Sequence, residues 1–121
     1  MDSDFYYSNM APKVKSNAEF LEKIYKSTAA GRKRAVSSAT PNQVKALCEC
    51  ALNACSGRVK LRPAHLKKLR SHESKLIRLA YAKDPIETKK KLLIQSGGAL
   101  PILASLGISA LSSLLPAIFG R

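Results

Sequence analysis

No side chain in residues 92–120 can ionise, whereas residues 58–91 carry Arg58, Lys60, Arg62, Lys67, Lys68, Arg70, Lys75, Arg78, Lys83, Lys89, Lys90 and Lys91 against only Glu73, Asp84 and Glu87. Two environments are implied: a polyanion such as nucleic acid for the first segment, and a membrane or protein interior for the second. The composition changes at Gln95-Ser96-Gly97-Gly98-Ala99. The paired glycines there predict a flexible hinge over residues 96–98.

A length of 121 residues allows one small domain plus appendages. The formal charge of +13, from 21 Lys+Arg and 8 Asp+Glu, is too large for a neutral cytosolic enzyme of this size and predicts a polyanionic partner, with solvated basic faces as the alternative reading. Enzyme classes find no support. There is no glycine-rich phosphate loop, no His-Glu-x-x-His and no carboxylate pair in a plausible pocket, so no catalytic residue and no cofactor is assigned.

Cys48, Cys50 and Cys55 are odd in number and spaced C-x-C-x4-C, which is not a zinc-ribbon pattern. His65 and His72 supply no defined ligand set with them, so no metal site is expected. Free thiols fit a reducing, intracellular compartment. Residues 1–10 contain Asp2, Asp4, Phe5, Tyr6 and Tyr7 and lack the basic and apolar regions of a signal peptide. Residues 1–15 have no apolar period and read as a disordered arm.

Order is expected from residue 16. Ser16-Asn17-Ala18-Glu19 has the form of a capping box, and Phe20, Leu21, Ile24 and Tyr25 share one face, which predicts a helix over residues 17–29 that Gly31 terminates. A short helical stretch with Ala35, Val36 and Ala39 follows the basic run Arg32-Lys33-Arg34. Thr40-Pro41-Asn42-Gln43 is the clearest helix start, and Val44, Leu47, Cys48, Ala51, Leu52 and Cys55 then recur with helical period as far as Gly57. Cys48 and Cys55 fall on that apolar stripe, and Cys50 off it.

Pro63 opens a region whose apolar positions Leu66, Leu69, Leu76, Ile77, Leu79 and Ala80 are interrupted by Ser71-His72-Glu73-Ser74, so one bent helix or two short ones satisfies the pattern. His72 is placed at the boundary or on the surface. Asp84-Pro85-Ile86-Glu87 repeats the cap, proline and acid arrangement and predicts a last domain helix over residues 85–95. The fold class is therefore all-α: a basic bundle of four to six short helices over residues 16–95, an arm before it and an apolar helical tail over residues 99–121.

In the tail, Ser105, Ser109, Ser112 and Ser113 share a narrow face, while Leu103, Leu106, Leu111, Leu114, Leu115 and Ile118 lie among the apolar residues around them. Gly107 and Pro116 weaken a run that is otherwise close to a membrane-spanning length. Three roles compete for it: an interfacial or membrane-disrupting helix, a tail anchor, or a segment buried against a partner protein.

Lys89-Lys90-Lys91 followed by Gly97-Gly98-Ala99-Leu100-Pro101-Ile102-Leu103 resembles the precursor of the adenovirus core protein called X or mu, and similar reading frames of adintoviruses and adomaviruses. In that family a basic DNA-condensing part is joined through a Gly-Gly-x-Leu-Pro junction to an apolar C-terminal segment. The resemblance implies a maturation protease as partner, with Gln95, Ser96, Gly97, Gly98 and Ala99 as its recognition site and the cut after Gly98. It also implies residence in a virion and in the host nucleus. The helical part upstream departs from the family, whose core protein is shorter and richer in arginine.

The functional expectation is a virion-associated, sequence-nonspecific protein binding duplex DNA. Arg58, Lys60, Arg62, Lys67, Lys68, Arg70, Lys75, Arg78, Lys89, Lys90 and Lys91 would contact phosphates, and the tail would contact capsid protein or membrane. Two alternatives stand beside it. One is a membrane-active or tail-anchored protein whose lysines meet anionic lipid, and the other is a helix-turn-helix regulator.

Overall fold

The computed structural model of the protein describes residues 17–56 and 61–118, with side-chain surroundings as far as Ser109. The arm, Arg58 and Lys60 lie outside the described residues. Among the described residues there are seven helices and no strand: α1 (Ala18–Lys26), α2 (Ala29–Ser37), α3 (Pro41–Cys55), α4 (Pro63–Arg70), α5 (Glu73–Tyr81), α6 (Ile86–Gln95) and α7 (Leu100–Ile118).

α1 buries Phe20, Leu21 and Ile24, as the period requires, but Tyr25 stays about half exposed. Its N-cap position is Asn17, and it ends at Lys26 because the next helix begins sooner than expected. Thr28 caps α2, its Oγ1 accepting the Gly31 N–H at 3.1 Å. Gly31 therefore sits in the first turn of α2 instead of ending α1.

α3 starts with the reciprocal box that Thr40 and Gln43 predict. The Gln43 N–H donates to Thr40 Oγ1 at 3.2 Å, the Thr40 N–H donates to Gln43 Oε1 at 2.9 Å, and Pro41 occupies the first turn. Val44, Leu47, Cys48 and Ala51 are buried, while Leu52 and Cys55 are half-buried. Ala46, Cys50 and Asn53 are wholly buried as well, because α5 and α7 both pack on this helix. Cys50 is thus a core residue beside the Gly107 backbone, and burial, with Glu49 and Cys48 adding, pushes its thiol up to about 12. Asn53 is the anomaly of this core: neither polar atom of its amide has a partner among the described residues.

The interruption after Leu69 resolves into two helices, α4 and α5, joined through Ser71 and His72. α6 begins one residue later than expected. Asp84 does not cap it; its carboxylate accepts from Arg78 Nε at 2.9 Å and Nη2 at 3.2 Å, and Pro85 holds the N-cap position. Lys89, Lys90 and Lys91 lie inside α6 and not in its last turn.

The tail expected over residues 99–121 does not stand apart in its described first half. Ala99, Leu100, Ile102, Leu103, Ala104 and Leu106 are buried, Leu103 completely, and α7 packs against α1 more extensively than any other two helices pack, with a further contact on α3. The physical reason is plain: α1 and α3 each present an apolar face that basic helices cannot cover, and the uncharged segment supplies the missing surface. Basic bundle and tail are therefore not independent parts as far as residue 108, since residues 99–108 complete the core of residues 18–95.

The hinge expected over residues 96–98 is likewise a hydrogen-bonded turn. Ser96 N–H donates to Leu92 O at 3.0 Å, Gly97 N–H to Ile94 O at 3.2 Å, Ala99 N–H to Ser96 O at 2.8 Å and Leu100 N–H to Gly97 O at 3.3 Å. It turns the chain by 108° between α6 and α7, and Ser96 and Ala99 are fully buried within it. A Cβ on Gly97 would stand 3.3 Å from Ile94 O, so the turn leaves little room there.

Candidate nucleic-acid interface

The cations predicted to meet phosphate do not share one fate. Arg62, Lys67, Lys68, Arg70 and Lys91 are exposed, and Lys75 and Lys89 are half-buried. α4 is the densest group: Lys67, Lys68 and Arg70 fill its last turn, and no acid lies within it. Leu69 alone of that turn points inward and holds the helix to the core. The cations thereby keep their charge in water, where it remains available to a polyanion.

Two of the predicted contacts are committed elsewhere. Arg78 grips Asp84 through two hydrogen bonds, which holds the Asp84 carboxyl below its ordinary range and neutralises the arginine locally. Lys90 keeps only 15 % of its side chain exposed; its Nζ donates to Ser37 O at 3.2 Å and lies 3.8 Å from Glu87. Arg78 ties α5 to the link that follows it, and Lys90 ties α6 to α2.

Sequence reasoning missed a second basic group. Arg32 and Lys33 on α2 border a cleft of about 420 Å³ whose other walls are Ala29, Ile94, Gln95, Gly97, Gly98 and Leu100. The Arg32 guanidinium is fixed by Nη1 donating to Ser27 O at 2.7 Å, and its Nε is buried without a partner among the described residues. On the Cβ side of Gly98 stand Lys68 and His72: a Cβ there would lie 3.8 Å from Lys68 Nζ and 3.6 Å from His72 Nε2. Partial burial, then Lys75 and Lys68, push the His72 imidazole below its ordinary pKa. The signal was present in the run Arg32-Lys33-Arg34. It could not be used because nothing in the sequence places α2 beside residue 97.

The other assigned sites fare differently. Around the expected cut after Gly98, Gln95 and Gly98 are exposed but Ser96 and Ala99 are buried. Of the residues assigned to membrane or partner contact, Leu103 and Leu106 are in the core, and the side chains of Leu111, Leu114, Leu115 and Ile118 lie outside the described ones. Among the described residues no single helix is long and apolar enough to cross a membrane. No cluster of three His, Cys, Asp or Glu side chains able to hold a metal occurs among them either.

No protein-family model matches the chain, and comparison with curated proteins and with solved structures gives no similar protein.

Proposed function

We propose that the protein binds nucleic acid without reading sequence, as a DNA-condensing protein of the virion-core kind to which its junction is similar, and that it acts as one folded piece. The observation that supports this most is the acid-free, exposed cationic turn of α4 on a chain of net charge +13. Lys67, Lys68 and Arg70, with Arg62 and Lys91, would neutralise backbone phosphates and release their counterions. Base reading would call for a few placed side chains among neutral neighbours, not a uniform charge. A cut after Gly98 would require the turn to open first, so the uncut chain is taken as the binding form.

The test is duplex binding by the full chain across a salt series, with duplexes of unrelated sequence. Five phosphate contacts give a slope of log affinity against log salt of about −4.5, the same for every duplex. A flat salt dependence, or strong preference for one sequence at physiological salt, would overturn the proposal. Binding by residues 1–98 alone is not a fair test, because that piece lacks Leu100, Leu103 and Leu106 from its core.

A further inference from the structure

The cleft beside the Gly97 and Gly98 turn combines features that nucleic-acid binding by α4 does not require. It is concave, about 420 Å³ in volume, and no carboxylate lines it. Its two cations come from α2, while the opposing wall comes from the far end of the sequence. Arg32 is held in place by Nη1 donating to Ser27 O, and its Nε is shielded from solvent without a partner among the described residues, so the guanidinium stands fixed at the cleft wall as a positive charge. Lys33 beside it is exposed. The Gly98 N–H makes no hydrogen bond within the described residues, and Gly98 is itself exposed. Two cations with no acid beside them, next to an exposed main-chain N–H in a concave cleft, suit a compact anion bearing several oxygen acceptors.

We infer that this cleft is a phosphate site, in which Arg32 and Lys33 hold one phosphate group against the turn at Gly97 and Gly98. Its occupant in the working protein is a backbone phosphate of the bound duplex, with Lys68 next to Gly98 extending the contact toward α4; that assignment of source rests on the nucleic-acid function proposed above. The glycines then have a use apart from proteolysis. Lacking side chains, they let a phosphate approach the main chain closely. A side chain at residue 98 would start toward His72 Nε2 and Lys68 Nζ, 3.6 and 3.8 Å from its Cβ, so a carboxylate there would set a competing anion beside the turn and take up Lys68.

The test uses the full chain with Lys33→Gln, Arg32→Gln and Gly98→Asp, and with Lys23→Gln as a control, since Lys23 borders a different cleft on the other side of α2. Two probes are applied: a short duplex in a salt series, and inorganic phosphate against chloride at matched ionic strength, read by the shift in melting temperature. Lys33 is exposed, so its variant folds even where Arg32→Gln loosens the bond to Ser27. The expected result is a salt slope shallower by about 1 for Lys33→Gln and unchanged for Lys23→Gln, with phosphate-specific stabilisation lost in Lys33→Gln and Gly98→Asp. Duplex binding in which Lys33→Gln behaves as Lys23→Gln would overturn the site as a duplex contact. Failure of the parent chain to bind duplex, with phosphate stabilisation intact and sensitive to Lys33→Gln, would remove the nucleic-acid function and keep the site for a free phosphate compound. Equal response of all variants to phosphate and chloride would overturn the site altogether.

Discussion

Lys90 crosses from the middle of α6 to the last residue of α2, its Nζ donating to Ser37 O at 3.2 Å. A carbonyl at a helix end has no partner within its helix, and a buried ammonium there satisfies it while complementing the negative end of the dipole. This lysine is part of the scaffold that sets α2 beside the turn at Gly97. Its neighbour Lys91 is exposed, so adjacent residues of one type perform two different tasks.

Lys90→Gln is therefore expected to cost about 1–2 kcal/mol of stability, because a largely buried charged hydrogen bond is lost. Duplex affinity should change little. Lys67→Gln should do the reverse, leaving the urea midpoint unchanged and making the salt slope shallower by about 1. Paired urea denaturation and salt-dependent binding measure both halves of this contrast.

Leu103 is wholly buried where α7 meets the rest of the core. Leu103→Ala is expected to cost about 2–5 kcal/mol, a large share of the roughly 5–15 kcal/mol available to a domain. Helical circular dichroism on heating would then show melting of the whole protein at a lower temperature. A free tail would predict no change at all.

The all-helical class, the Thr40 start of α3 and its inward stripe were legible because each rests on residues within one turn of each other. Gly31 misled because glycine serves both at a helix end and in a first turn, and only Thr28 Oγ1 decides between them. Asp84 misled for a similar reason: a cap and an ion pair need the same carboxylate, and Arg78 lies six residues away on the preceding helix. The fate of α7 was the largest miss. Its composition fixes that it must leave water, but not whether lipid, a partner or its own α1 receives it. For the same reason the exposed cations of α4 could be named from the sequence, whereas the cleft that brings Arg32 to Gly98 could not.

The pair formed by Arg78 and Asp84 gives a titration with a fixed sign. The Asp84 carboxyl is held below its ordinary value of 3.8, first by the hydrogen bond from Arg78. Its folded pKa is thus lower than its unfolded one, so its stabilising contribution is present above the ordinary carboxylate range and is lost as pH falls through the folded value. Carboxyl carbon shifts followed by NMR should show Asp84 titrating below its ordinary value. In Arg78→Gln it should return toward the ordinary value.

Thiol chemistry separates the three cysteines. Cys50 is wholly buried with its thiol pushed up to about 12, Cys48 is buried, and Cys55 is half-buried with its pKa raised by burial and by Glu73. Since the thiolate is the reactive form, labelling of the folded protein in mildly alkaline buffer should begin at Cys55 and leave Cys50 untouched. In urea all three should react at similar rates. Peptide mapping after timed quenching reads the order, and early modification of Cys50 would contradict the packing of α3 on α7.

The peptide bond between Gly98 and Ala99 provides the sharpest separation between a hinge and a turn. A protease groove accepts an extended strand, but here Ala99 donates to Ser96 O at 2.8 Å, Leu100 to Gly97 O at 3.3 Å, and the flanking Ser96 and Ala99 are buried. Extending residues 95–99 would break those bonds and pull Leu100 out of the core. Cleavage must therefore follow an opening reaction, and its rate should track stability when reclosing is faster than cutting. A protease with Gly-Gly specificity is expected to leave the native chain intact, to cut it progressively as urea is added, and to cut Leu103→Ala faster than the parent at every concentration below the midpoint. Mass spectrometry of the products fixes the bond that is cut. Rapid cleavage there in the absence of denaturant, at a rate indifferent to Leu103→Ala, would mean that the turn is open in the native protein and that α7 docks on α1 only loosely.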